Sequence, residues 1–153
     1  MTAEGPDRRC QAAEERELLG LIFAWADFID QGRFDAAAAL LASAEIAIDD
    51  KPPVRGVRQI EELLHRVIEI YPDGTPRTHH MTTNSVVKFS DETRTATAKS
   101  YFTVFQDATR LPLQPIAAGR YVDAFRYVEN SWHFVRRHII FTLVGDLTRH
   151  ISL

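Results

Sequence analysis

The chain predicts an α+β domain in which helices come first and an antiparallel sheet follows, curled so that the helices pack on one of its faces. Three observations carry this. Apolar residues recur at helical spacing through the first half of the chain. The stretch YPDGTP, residues 71–76, then punctuates it with two prolines and a glycine. Beyond that point long runs alternate with the period of two that strands require.

Each element follows from its local pattern. From residue 11 to residue 31, Leu18, Leu19, Ile22, Ala26 and Ile29 form a stripe of helical period, and Gly32 stands where helices usually stop. A short second helix, residues 34–41, follows at once and makes an αα-hairpin with the first. EIAID, residues 45–49, alternates as a short strand, and KPPVRG, residues 51–56, breaks regularity. A third helix spans residues 57–70, with Val57, Ile60, Leu64 and Val67 on one side. Strands are expected over residues 79–89, 95–106, 117–128 and 132–144. DET and ENS make short hairpin connections between them, whereas residues 107–115 read as a longer proline-containing loop. The whole is one domain over residues 1–153, with residues 1–10 a polar, disordered start.

Composition excludes several classes of function. With 153 residues, 45% of them hydrophobic, the chain can bury a core of its own. The net charge of −3 and the lack of any Lys/Arg block leave no electrostatic footprint for nucleic acid. No apolar run is long enough for a membrane helix. MTAEGPDRRC lacks the apolar core of a secretory signal, so a cytoplasmic protein is expected. Cys10 is the single cysteine, which excludes an intrachain disulfide and a thiolate cluster for metal.

The residues able to do chemistry are few. His79 and His80 adjoin in RTHHMTTN, residues 77–84, and neighbouring strand residues point to opposite faces, so the two cannot share a task. His80, Thr82, Asn84 and Val86 share a face that suits the lining of a polar-ended pocket. His79, Met81, Thr83, Ser85, Val87 and Phe89 share the other. A histidine on such a face is either a base or a satisfied structural residue. In the first helix Asp30 projects between Leu19 and Phe23, inside the apolar arc, whereas Asp27 lies at its edge. An aspartate there is either buried with partners or a helix-end residue in water. Gly119, Tyr121, Asp123, Phe125 and Tyr127 share a face of the 117–128 strand. Asp123 either belongs to a pocket wall or pairs with an arginine from a neighbouring strand. Arg136 and His138, placed with Trp132 and Phe134, are secondary candidates.

No dinucleotide, P-loop, nucleophile-elbow or zincin motif occurs. Diverging strand histidines do not suit a metal, and no serine or cysteine stands out as a nucleophile. General acid–base work by a carboxylate and an imidazole remains.

Three stretches together, IFAWADFIDQGRFDAAAALLA, RTHHMTTNSVV and GRYVDAFRYVENSWHFVRRHIIF, resemble the SnoaL-like branch of the nuclear transport factor 2-like superfamily. Scytalone dehydratase, bile-acid 7α-dehydratase and hexachlorocyclohexane dehydrochlorinase are the nearest kinds. The resemblance implies a cone-shaped α+β barrel of three N-terminal helices on a strongly curved antiparallel sheet, around a deep hydrophobic pocket. It implies Asp30 and His80 as a catalytic pair, no cofactor and no metal. The ligand it implies is a hydrophobic small molecule, and the assembly a homodimer or homotrimer. Trp25 stands where some relatives carry Tyr or Lys, and the second histidine of the dehydratases falls near Phe105 or Gln106. Their serine and asparagine fall near Gly119 and Tyr121. Trp25, Asp49, Asn84, Phe102, Tyr121 and Asp123 are then the expected substrate contacts, with Tyr121, Asn84 or a protonated Asp123 meeting developing charge.

The leading expectation is a cofactor-free, dehydratase-like lyase acting on a hydrophobic cyclic molecule. A ketosteroid-isomerase-like enzyme using Asp49 and Asp123 is one alternative. The other is a non-catalytic binding or assembly module, such as the small subunit of ring-hydroxylating dioxygenases. For that module Val87, Phe89, Tyr101, Thr103 and Phe105 would form the outer contact row.

Overall fold

The computed structural model of the protein describes residues 8–151. Helix α1, Arg8–Asp30, buries Leu18, Ile22, Trp25 and Ile29 against the sheet, each no more than 2% exposed. Burying side chains of this size contributes about 1.5–3 kcal/mol apiece. The helix begins at Arg8, so residues 8–10 are helical rather than disordered; residues 1–7 lie outside the described residues.

Gly32 ends α1 as expected. It adopts φ 70°, its N–H donates to Ile29 O, and the N–H of Arg33 donates to Phe28 O, the paired bonds of a Schellman stop. A Cβ at Gly32 would also come within 2.1 Å of Gly74 O. The end of α1 is thereby seated on the turn that precedes the first long strand, and Asp30 is brought beside that strand.

Helix α2, Phe34–Leu40, buries Phe34, Ala37 and Ala38, and α3, Val57–Val67, buries Ile60 and Leu64. The third helix stops short of the expected residue 70. Ile68 is already extended and bridges Ile151 near the chain's end, a tertiary pairing that local periodicity does not contain.

The sheet has six strands: β1 Glu45–Ile48, β2 Val54–Arg55, β3 Thr78–Ser90, β4 Thr95–Ala108, β5 Leu111–Val128 and β6 Ser131–Val144. Their order is β2-β1-β6-β5-β4-β3. The sheet is mixed rather than wholly antiparallel, because β1 runs parallel to β6. The two-residue β2, within KPPVRG, has no alternation for a sequence to display.

The expected loop over residues 107–115 is strand. β4 and β5 continue to the pair Ala108–Leu111, with Arg110 at φ 65° in the turn. Pro112 and Pro115 are tolerated there because β5 extends past its last pairing with β6, Ala117–Val144, so its other edge needs no N–H donor.

Register shifts redirect side chains on two strands. On β3 the pairing slips by one residue between Thr83 and Val86, with Asn84 at φ 52°. A slip of one turns a strand's faces over. Ser85, Val87 and Phe89 therefore turn inward, and Ser85 Oγ lies 2.9 Å from Ser100 Oγ. Val87 and Phe89 pack against the core rather than in an outer contact row, where Tyr101 alone of that set is strongly exposed. On β6 the shift between the pairs at Phe134 and Arg136 sends Arg137 inward; Arg136 and His138 do not follow Trp132 and Phe134 into the core.

Candidate active site

A cavity of about 340 Å³ lies between the helices and the concave side of the sheet. Trp25 and Ile29 from α1, Phe102 from β4, Tyr121 from β5 and Ile139 from β6 supply apolar wall, and His80 supplies polar function. Gly119 makes one wall possible. A Cβ there would meet the Phe102 ring at 2.8 Å and Ile140 O at 2.0 Å. The open space lets Phe102 lie flat on Tyr121, with ring centroids 4.6 Å apart.

His80 reaches the cavity from β3, where Asp30 meets it. Nδ1 of His80 lies 2.5 Å from Asp30 Oδ1, the same oxygen accepts the Thr78 hydroxyl at 2.7 Å, and Oδ2 accepts the His80 backbone N–H at 2.7 Å. These donors matter because Asp30 is the last residue of α1, where the helix dipole opposes a negative charge. Burial likewise disfavours its ionised form, but the bonds from and attraction to His80, with the Thr78 bond, outweigh that and hold its pKa below the ordinary value. Asp30 is therefore a carboxylate at neutral pH. It fixes the His80 proton on Nδ1 and leaves Nε2 as the nitrogen able to take another. His79 is exposed on the opposite face, as alternation predicts.

The other expected contacts divide. Trp25, Phe102 and Tyr121 line the cavity, and burial pushes the Tyr121 phenol's pKa well up. Asp49 also lines the cavity but is exposed to solvent, with Oδ1 accepting the backbone N–H of Phe141. Asn84 is exposed on the β3 bulge and does not line the cavity. Asp123 does not line it either. Fully buried, it takes two bonds from Arg137, at 3.0 Å from Nε and 2.9 Å from Nη2. Burial pushes its pKa up, yet two donated N–H bonds from a guanidinium are the geometry of a carboxylate, not of a protonated acid. The arginine partner allowed for Asp123 is thus present, and a charge-stabilising role in the cavity does not fit it.

Gln106, near the expected place of a second histidine, is a buried strut whose amide donates to Pro76 O and Arg149 O. Sequence reasoning missed His150, which lines the cavity from the segment after β6. That segment has neither helical nor strand period. Among the described residues, no three His, Cys, Asp or Glu side chains converge as a metal site needs, and no helix is long and apolar enough to cross a membrane.

The fold is that of a family. Residues 11–138 match the SnoaL-like domain, and the chain belongs to that family. No curated protein matches its sequence. Among solved structures it is similar to a proposed scytalone dehydratase from Novosphingobium aromaticivorans, at 20% identity and a TM-score of 0.72, over 92% of this chain and 91% of that one. An NTF2-like protein with a cystatin-like fold from the same organism is 21% identical with a TM-score of 0.71, over 93% and 90% of the two chains. The beta subunit of a proposed aromatic-ring-hydroxylating dioxygenase, again from that organism, is 15% identical with a TM-score of 0.69, over 95% and 100%. At such identities the likeness is one of fold.

Proposed function

We propose that the protein is a cofactor-free, dehydratase-like lyase acting on a hydrophobic cyclic molecule, with Asp30 and His80 as its catalytic pair. The observation that carries the reading is the Asp30–His80 contact with the imidazole on a largely apolar cavity. In the proposed reaction Nε2 of His80 takes a proton from the carbon beside a substrate carbonyl. The C–H electron pair rests as an enolate on the carbonyl oxygen, then returns to form the new carbon–carbon double bond as the bond to the β-hydroxyl breaks. The hydroxide takes the proton back from the imidazolium and leaves as water. Asp30 stabilises the imidazolium between the two steps. A positioned base of this kind contributes about 10²–10⁴-fold.

The isomerase alternative is less well supported, since Asp123 is committed to Arg137 and Asp49 to the Phe141 backbone. A binding or assembly module is the other outcome to test. With 3-hydroxy-1-tetralone as substrate, dehydration gives 1-naphthol, followed by its fluorescence. His80→Gln is expected to lower turnover about 10²–10⁴-fold while leaving the melting temperature nearly unchanged. Equal turnover by the folded variant would remove His80 from the reaction.

A further inference from the structure

The segment after β6 carries a second imidazole into the cavity, one that the Asp30–His80 pair does not use. Leu147, His150 and Ile151 of this segment line the cavity. Backbone atoms hold it there: His150 O accepts the Glu69 N–H at 2.9 Å, and Arg149 O accepts the Tyr71 hydroxyl at 2.6 Å and the Gln106 amide at 2.8 Å. None of these bonds needs the His150 ring.

The ring's two nitrogens differ. Nδ1 is sealed in protein without a hydrogen-bond partner. Nε2 is not sealed in this way, so of the two nitrogens it is the one open to the cavity that His150 lines. Burial first, and the neighbouring His80 second, hold the pKa at about 4 against the pull of Asp30, so the ring is neutral at neutral pH. A neutral imidazole has one N–H. Placing it on Nε2 leaves Nδ1 a bare lone pair, and an orphaned buried acceptor is tolerated better than an orphaned N–H.

We propose that His150 Nε2 donates a hydrogen bond to an oxygen of the bound ligand, so that the cavity selects cyclic ketones and phenols over hydrocarbons of the same shape. This deepens the proposed lyase and rests on the same cavity being its substrate site. There the bonded oxygen is the carbonyl, on which negative charge grows while His80 holds the proton.

The test compares binding of 1-naphthol and naphthalene by calorimetry. One neutral hydrogen bond predicts a preference for 1-naphthol of several-fold to about tenfold in the unaltered protein. His150→Phe, which fills the space without a donor, is expected to abolish the preference; His150→Gln keeps part of it, and His80→Gln leaves most of it. A preference unchanged in His150→Phe, or no preference or binding in the unaltered protein, overturns the proposal. Turnover lost in His80→Gln with the preference untouched in His150→Phe defeats the His150 role alone. The reverse pattern defeats the lyase reading and leaves the oxygen contact standing.

Discussion

Asp30 occupies a place that an acid should avoid, the C-terminal end of a helix, and is held there by three donors from one short stretch of β3. Its charge and that of His150 affect stability in different pH windows. The folded pKa of Asp30 is lowered, so its stabilisation is present above the ordinary carboxylate value and is lost as pH falls through the folded one. His150 is kept neutral by burial, so protons favour the unfolded chain, where histidine titrates near 6.5. Stability is therefore lost as pH falls from 6.5 toward about 4, and is fully present above that range. His150→Gln is expected to flatten this part of the curve in urea unfolding at about pH 5 and about pH 7. An unchanged slope contradicts the burial of a neutral ring. Helical and strand periods made Asp30 and His80 candidates in the sequence, and the resemblance to a family made them a pair. His150 could not, because it is placed by the bonds of its neighbours' backbones.

The bulge on β3 decides which half of that strand serves the cavity and which half serves the core. Alternation turns His80 and Thr82 inward as expected, although only His80 lines the cavity, and fails beyond Thr83 because the extra residue turns the strand over. The same physics hides Arg137 behind Arg136 on β6. A bulge is set by twist and by the partner strand, so no count of apolar residues along one strand contains it. Asn84 pays for the bulge with a left-handed backbone, which asparagine tolerates and a β-branched residue does not. Asn84→Val is expected to lower stability by about 1–2 kcal/mol, and Asn84→Gly to leave it nearly unchanged. Equal denaturation midpoints for the two variants would argue against strain at this residue.

Across the whole molecule, the order of α1, α3 and the long strands was readable because each of their patterns persists for ten residues or more. The parallel pairing of β1, the short β2 and the choice of partner for Asp123 were not, since each is a tertiary matter. The Asp123–Arg137 pair lies in the core beneath the cavity wall, with the guanidinium carbon 4.1 Å from the centre of the Tyr121 ring. Removing one partner strands a buried charge. Arg137→Leu and Asp123→Ala are each expected to lower unfolding free energy by about 3–5 kcal/mol, and a paired apolar replacement to recover much of the loss. Additive losses in the double variant contradict that coupling.

The central claim is that His80, oriented by Asp30, takes a proton from carbon inside the cavity, and hydrogen–deuterium exchange at carbon 2 of 1-tetralone in D₂O tests it most directly. This ketone lacks a leaving group, so exchange reports proton removal alone. The account predicts exchange faster than in buffer by about 10²-fold or more, and its loss in His80→Gln. Equal exchange rates for the unaltered protein, the variant and buffer would contradict it.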